Sequence, residues 1–319
     1  MLFQTKYLLV LITVFVYCLS APAQTDTLKS FRREFSIIVD NDYPFQTDQY
    51  YTAGQDLYFR FVINSKIGFL KNDDFSKTIL SFRYGNKVFT PKNLDTRNTI
   101  FMDRPYCGWS FVSAEILNFR KYNSANSFIL QMGIVGEISG MYKIQPWIHK
   151  VLDLYSVYGW DSQIANEFVV NINYIHTQGF SLRKGVELVS ASGAWVGTGL
   201  NKITQEFTFR LFKFNPLSES SYMNAIISVK NSTTRKDELF MFFSLETDLV
   251  LSNIFIQGSL FNNPSPLTTG INNWLFMPKV GMQYSSRRIS AVLSVTHITK
   301  ETPFVDVHNY TTTSLAYRF

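Results

Sequence analysis

Carboxylate, amide and hydroxyl side chains are concentrated in one short segment near the start of the chain. Residues 40–54 read DNDYPFQTDQYYTAG and include Asn41, Asp42 and Thr52. Calcium takes six to eight oxygen ligands, which carboxylates, amide carbonyls and backbone carbonyls can supply. The spacing is not that of a calcium-binding hand loop, and Asp and Asn also occur in loops simply as turn-forming residues. The segment is therefore either a cation site or a polar loop.

His149 is the second residue that could do chemistry. It is one of four histidines, the others being His176, His297 and His308. A histidine can take a proton from water near neutral pH, so beside a cation-polarised carbonyl it would act as a hydrolytic base. An isolated histidine is more often a surface or packing residue. His149 stands out because its loop is predicted to share one end of the fold with the oxygen-rich segment.

A third segment, 103–109, has a structural interpretation. Asp103 and Arg104 precede a rigid Pro105, and we expect them to hold their loop by charge-assisted hydrogen bonds. Cys107 has no histidine near it in sequence, so we expect a small buried residue rather than a nucleophile.

The elements that must position these residues are strands. Apolar and polar residues alternate, as in Leu57, Phe59 and Phe61 against Asp56 and Arg60, and period-2 alternation predicts a strand with one apolar face. The strands run to about ten residues, longer than is usual in a soluble sandwich, which favours an all-β, antiparallel transmembrane barrel. We predict twelve strands and treat 222–230 as a turn; the predicted strands are 34–42, 51–63, 77–88, 108–120, 126–136, 166–178, 181–191, 204–214, 238–253, 275–285, 288–299 and 309–319.

The N-terminus reads as an export signal. Lys6 precedes an apolar run and the small residues 20–23, so we expect cleavage after Ala23, leaving residues 24–319 as a single barrel domain. A lipoprotein signal using Cys18 is the alternative, but a bulky Tyr17 precedes that cysteine. Past residue 23, no run approaches the ~18 apolar residues of a membrane-spanning helix.

Composition and charge limit the fold class and the kinds of partner that the protein can bind. The chain is 46% hydrophobic and 16% aromatic, which is too apolar for disorder. Its net charge is +6, but lysine and arginine form no basic run, and an exported chain makes nucleic acid an improbable partner. We expect a monomer.

The last predicted strand, 309–319, indicates that the barrel lies in the outer membrane. Leu315, Tyr317 and Phe319 share one face, and the sequence ends on Phe319. This ending resembles the signal read by the outer-membrane assembly machinery of Gram-negative bacteria, which we expect as a partner. An even strand number with a periplasmic N-terminus puts the connections 43–50, 89–107 and the long 137–165 on the cell exterior.

Five motifs together resemble a known family. They are Asn41-Asp42; Thr47-Asp48 with Tyr51-Thr52-Ala53-Gly54; Asp103-Arg104-Pro105-Tyr106-Cys107-Gly108-Trp109; Gln145 with His149; and Gly159-Trp160-Asp161-Ser162-Gln163. In this order and over about half of the mature chain, they resemble the outer-membrane lipid A 3′-O-deacylases. The C-terminal half is similar to that family only as barrel strands.

The resemblance implies a function. It implies a calcium-dependent hydrolase that cleaves the ester holding the 3′ acyloxyacyl group on lipid A, the lipopolysaccharide anchor of the outer leaflet. Asn41, Asp42 and Thr52 would form the metal group and His149 would be the general base; substrate-binding residues stay unassigned. The chain departs from the family where a further acidic residue is expected, six positions after the histidine, because Tyr155 stands there. Asp153 is the candidate replacement.

Two other classes remain open. A non-catalytic outer-membrane barrel, serving as a channel or scaffold, would explain the strands and the export signal without using the motifs. A soluble, secreted β-sandwich that binds a ligand would explain the alternation alone.

Overall fold

The computed structural model describes residues 30–63, 77–121, 123–229, 237–261 and 264–319, and over these residues the chain folds as twelve antiparallel strands closed into a barrel. The expected signal peptide, 1–23, lies outside the described residues. Each strand pairs with its neighbours in sequence, and the first strand pairs with the last. The predicted twelve-stranded barrel is confirmed, and the soluble sandwich is wrong. The strands are β1 (Arg33–Asn41), β2 (Tyr50–Ile63), β3 (Lys77–Thr90), β4 (Cys107–Lys121), β5 (Ser124–Val135), β6 (Glu167–Arg183), β7 (Val186–Gly197), β8 (Leu200–Lys213), β9 (Glu238–Asn253), β10 (Trp274–Ser285), β11 (Ile289–Ile298) and β12 (His308–Arg318).

The alternation places apolar side chains on the outside of the barrel and polar side chains on the inside. On β1, Phe35, Ile37 and Val39 point outward and are exposed, while Glu34 and Ser36 point inward and are buried. An exposed apolar wall around a polar interior suits a barrel that is surrounded by lipid, because a closed sheet has no edge strand with unpaired backbone groups.

Closure of the barrel is reinforced by a buried ion-pair triad. β1 and β12 pair from Glu34 with Arg318 to Asn41 with Thr311. Glu34 sits between two arginines, with Oε1 3.1 Å from Arg60 Nη1 and Oε2 2.8 Å from Arg318 Nη1. A buried carboxylate is costly unless it is paired in this way. The three side chains therefore join the first, second and last strands.

In the described part of the chain, two short helices and six 3-10 turns lie in the connections. The helices are α1 (Met141–Val151) and α2 (Ile254–Gln257); the 3-10 turns are Tyr43–Phe45, Thr99–Phe101, Glu137–Ser139, Trp160–Ser162, Leu217–Glu219 and Ser221–Met223. No helix among the described residues is both long enough and apolar enough to cross a membrane.

Connections 42–49, 91–106 and 136–166 emerge at the same end of the barrel, which we call the upper end. They match the predicted loops 43–50, 89–107 and 137–165 to within two residues. Over its described part, up to 229, the segment predicted as a turn at 222–230 contains no strand.

Apolar side chains fill the lumen at both ends. At the lower end, Leu217, Ala225 and Ile227 pack against inward residues of the wall such as Phe119. At the upper end, Phe255 of α2 stacks on Phe89 and packs against Trp109 of the wall. Between these two plugs the lumen holds ion pairs, among them Asp56 with Arg83, Asp248 with Lys202 and Glu206 with Lys279.

The hairpin of β6 and β7 differs from the prediction. We expected strands 166–178 and 181–191, which leaves the turn at 179–180, but the turn is at Lys184-Gly185, where Gly185 has φ of +75°. Gly179 lies inside β6. A Cβ there would come within 3.0 Å of Glu187 Oε1 and 3.2 Å of Leu217 Cδ1, which explains why the residue is a glycine. The glycine makes room for the lower plug rather than for a turn.

The triad of Glu34, Arg60 and Arg318 predicts a large effect of one substitution. Arg318→Ala removes one of the two partners of a buried carboxylate and should lower the free energy of unfolding by about 3 kcal/mol. Urea unfolding followed by heat-modifiable gel migration measures this. The control is Lys92→Ala, which breaks the pair with Asp306, whose two side chains are both more than half exposed, and should change nothing measurable. Equal losses in the two variants would contradict this account of barrel closure.

Candidate functional site

α1 lies against the outer side of the barrel wall at the upper end. Gly108 and Ser110 are on the same face of β4 as the exposed, outward Val112. A Cβ on Gly108 would come within 2.4 Å of Ser139 Oγ and 2.5 Å of Met141 Cβ, so a glycine is required where the helix meets the wall. Ser110 Oγ also donates to the Ser139 carbonyl at 2.8 Å. The helix is thus packed on the lipid side of the wall and not over the lumen.

One face of α1 is buried and carries the candidate base. Met141, Gln145 and His149 recur every four residues and are each less than 7% exposed. Side chains four apart share one face of a helix. Met141 packs with Val88 and Tyr106, which fixes the rotation of the helix and turns Gln145 and His149 toward loop 42–49.

His149 is held at both ring nitrogens. Nδ1 lies 2.8 Å from the carbonyl oxygen of Tyr155, and Nε2 lies 2.9 Å from Asp48 Oδ2. A carbonyl oxygen only accepts, so Nδ1 is the donor in the first contact. The ring of Tyr155 packs edge-on against the imidazole at 5.0 Å. The His149 imidazole is therefore oriented by a backbone oxygen on one side and a carboxylate on the other.

The Asp48 carboxylate is contacted by several side chains of the site. Its Oδ2 also accepts from the Tyr155 hydroxyl at 2.7 Å, and its Oδ1 accepts from Gln145 Nε2 at 3.2 Å. Gln145 is itself aligned by Trp160, whose Nε1 donates to its Oε1 at 3.1 Å. Side chains of the single connection 136–166 thus fix a carboxylate of the loop 42–49.

Asp42 and Thr52 form the neighbouring oxygen cluster. Thr52 Oγ1 is 3.0 Å from Asp42 Oδ1 and also within hydrogen-bonding distance of Asp48 Oδ1. Asp42 Oδ2 accepts from Thr47 Oγ1 at 2.9 Å and from the N–H of Gln49 at 3.0 Å. A hydroxyl has one hydrogen, so Thr52 cannot donate to both carboxylates at once.

A strained residue anchors the loop that carries these carboxylates. Tyr50 has φ of +61°, a conformation that costs a non-glycine residue free energy. Its hydroxyl donates to Asp103 Oδ2 at 2.8 Å and accepts from the N–H of Asp306 at 2.9 Å. Asp103 thus holds a loop, as predicted, while Arg104 pairs with Glu301 at 2.7 Å. Cys107 is buried and free, also as predicted.

Proton affinities in the site follow from burial and pairing. Burial, together with a smaller effect of the nearby Asp48 charge, raises the pKa of Asp42 to about 7, although hydrogen bonds from Gln49, Thr47 and Thr52 oppose the rise. Burial alone would raise the pKa of Asp48, but hydrogen bonds from His149, Thr52 and Tyr155 outweigh it and leave the pKa below its usual value. Burial would lower the pKa of His149, yet the hydrogen bonds to Asp48 and to the Tyr155 carbonyl leave it raised. The Asp48 carboxylate and the Tyr155 carbonyl therefore favour the protonated form of His149.

The structure brings together most of the predicted residues. Asp42, Thr52 and His149 meet around Asp48, and Asn41 is adjacent, with Nδ2 3.4 Å from the Thr52 carbonyl and Oδ1 accepting from the N–H of Tyr43 at 2.8 Å. Asp153 is exposed just after α1. Asp48 was not predicted to have a role, although it belongs to the motif Thr47-Asp48. The four-residue spacing of Gln145 and His149 was a signal that both face the same neighbour.

The donor set suits a hard cation. Two carboxylates and a hydroxyl converge with one hydrogen too few for their contacts, and a cation among these oxygens would supply the missing positive charge. Within the described ranges, no three side chains of the types His, Cys, Asp and Glu form a metal-binding group. A cation here would therefore depend on hydroxyl and carbonyl oxygens as well as on carboxylates.

Three solved structures are similar to this chain to different degrees. The structure titled LpxR from Salmonella typhimurium superposes with a TM-score of 0.70 at 18% sequence identity, covering 90% of this chain and 100% of that one. The β domain of the Bordetella autotransporter BrkA reaches 0.44 at 7% identity, with 91% and 100% coverage. The translocator domain of NalP from Neisseria meningitidis reaches 0.42 at 8%, with 99% and 97% coverage.

At the level of sequence, no curated protein matches. The family model described as outer membrane protein LpxR matches residues 8–319, which is nearly the whole sequence. The chain belongs to the LpxR family of outer membrane proteins.

Proposed function

We propose that the chain is a calcium-dependent esterase of the Gram-negative outer membrane that hydrolyses the 3′-linked acyloxyacyl group from lipid A. The observation that carries the proposal is the pair of His149 and Asp48, set beside the oxygen cluster of Asp42 and Thr52 on the lipid side of the barrel wall. An ester in a membrane lipid can approach such a site from the surrounding leaflet. The motif resemblance and the family membership supply the substrate class.

His149 is the general base of this proposal. With Nδ1 donating to the Tyr155 carbonyl, Nε2 is the ring nitrogen that would take a proton from the attacking water, which must enter between Nε2 and Asp48 Oδ2. Asp48 Oδ2, 2.9 Å from Nε2, stabilises the imidazolium that results. The Tyr155 hydroxyl and Gln145 hold Asp48 in place for this role. The proton later returns from Nε2 to the departing alkoxide, so no covalent intermediate is needed.

Asp42, Thr52 and Asn41, with Asp48 Oδ1 as an addition that the structure suggests, would hold the calcium ion. A bound calcium ion would polarise the ester carbonyl and balance the charge of the oxyanion. We place the upper end of the barrel, with loop 137–165, at the outer leaflet and exterior, where lipid A lies.

The passive channel is less compatible with the lumen. Leu217 and Ile227 fill its lower end and Phe255 its upper end, as described above. A passive scaffold would leave the alignment of Trp160, Gln145, Asp48 and His149 without a use.

The proposal is tested by one substitution. Purified protein should release the 3′ acyl group from lipid A in the presence of calcium, and His149→Gln should lower the rate by about 10² to 10⁴-fold, the usual cost of losing a general base. Mass spectrometry of the lipid product measures this. The matched control is His297→Gln, on β11, whose ring bonds to Asn309 and which should keep most activity. No activity in folded wild type on any lipid A would favour the scaffold.

The pH dependence follows from the raised pKa of His149. Only the neutral imidazole accepts a proton, so activity should fall as pH drops through a pKa that lies above the ordinary histidine value of 6.5. Asp48→Asn removes the charge that favours the imidazolium, and should move this acid limb to lower pH while reducing the maximal rate. A pH–rate profile of both proteins measures the shift. An unmoved limb would separate Asp48 from His149.

Removal of the cation is the third test. A chelator should abolish hydrolysis and calcium should restore it, because the few ligands bind weakly and reversibly. Asp42→Asn should raise the calcium concentration needed for half-maximal activity while leaving heat-resistant barrel migration intact. Activity that is indifferent to calcium in wild type would remove the metal from the mechanism.

A further inference from the structure

α1 exposes a row of large apolar side chains on the face that does not meet the barrel. Ile144, Trp147 and Val151 are 42%, 62% and 61% exposed. At 100° per residue they fall within an arc of roughly 60°. We call these three residues the apolar stripe. Exposed side chains of this size side by side indicate a partner that is itself apolar.

Cations border the stripe. Lys143 and Lys150 are exposed and lie on the same helix next to Trp147, while Gln145 and His149 occupy the opposite, buried side. An α-helix with an apolar strip, a tryptophan at its edge and lysines beyond it is typical of helices that lie in a membrane interface. There the lysines reach the phosphates and the tryptophan sits between the two regions.

The N-terminal end of α1 is level with the apolar wall of the barrel. Ser110, against which α1 is anchored through Ser139, pairs with Ile134, and Ile134 pairs with Phe168. Phe168 points outward and is 58% exposed, and Ile138, just before α1, is 53% exposed. The lipid-facing surface therefore extends up the wall to the height at which α1 begins.

We propose that α1 is a membrane-interface helix, whose apolar stripe lies among the acyl chains of the outer-leaflet lipid and whose Lys143 and Lys150 contact the lipid phosphates. The inference rests on the proposed function only in setting the upper end at the outer leaflet. It gives the site a means of reaching an ester bond that is buried in a membrane, since the same helix presents His149 on its other side.

Spin labels test this without any catalytic turnover. Each of Trp147 and Val151 is replaced singly by Cys and labelled with a nitroxide; Cys107 is buried and does not compete. The protein is reconstituted in bilayers of phosphatidylethanolamine and lipid A. Labels at 147 and 151 should be accessible to oxygen and shielded from a water-soluble nickel chelate, whereas a label at Lys150→Cys should show the reverse. Nickel accessibility at 147 and 151 equal to that at 150 overturns the proposal, as does shielding from both reagents, which would indicate a protein on the stripe.

A double variant provides the functional readout. Trp147→Ser with Val151→Ser should lower hydrolysis of lipid A in bilayers about 10-fold or more and leave hydrolysis of a water-soluble short-chain ester unchanged, because His149 and Asp48 are untouched. Lys143→Gln and Lys150→Gln should also lower hydrolysis of lipid A in bilayers, because each removes a contact with a lipid phosphate. Replacing lipid A by its dephosphorylated form should remove this loss. Equal losses on the bilayer and the soluble ester would assign the stripe to packing of the site and overturn the proposal.

Discussion

The closed ring of strand pairing is the constraint on which the other features depend. Every strand has two neighbours because β1 pairs with β12, so the wall can carry apolar side chains outward without leaving backbone groups unpaired in lipid. The polar inward faces must then be neutralised locally, which the ion pairs of the lumen and the triad at Glu34 achieve. A wall stabilised in this way is rigid enough to serve as one side of a functional site, and α1 supplies the other side.

Asp48 links the two halves of that site. It belongs to the loop after β1 and accepts from His149, Tyr155 and Gln145, all of which follow β5. The resemblance to the lipid A 3′-O-deacylases implies an acidic residue six positions after the histidine, where this chain has Tyr155. Here the backbone and hydroxyl of Tyr155 hold the imidazole and Asp48 instead, so the carboxylate partner of the histidine comes from a different loop.

Alternation and export signal were sufficient to predict a twelve-stranded barrel, because period 2 is a local property of the chain. Asp42, Thr52 and His149 could be selected from motifs. The contact of Asp48 with His149 could not, since it joins residues 101 positions apart through the packing of α1 on Gly108. The turn predicted at 179–180 was wrong for a similar reason: Gly179 leaves room for Leu217 of the lower plug, a neighbour that no local pattern shows.

The two apolar plugs have a consequence for the cell that carries this protein. An outer membrane protects its owner only while its barrels do not leak solutes, and a twelve-stranded ring without a filled lumen would admit small antibiotics and detergents. With Leu217 and Ile227 at one end and Phe255 at the other, copy number can rise without a proportional loss of the permeability barrier.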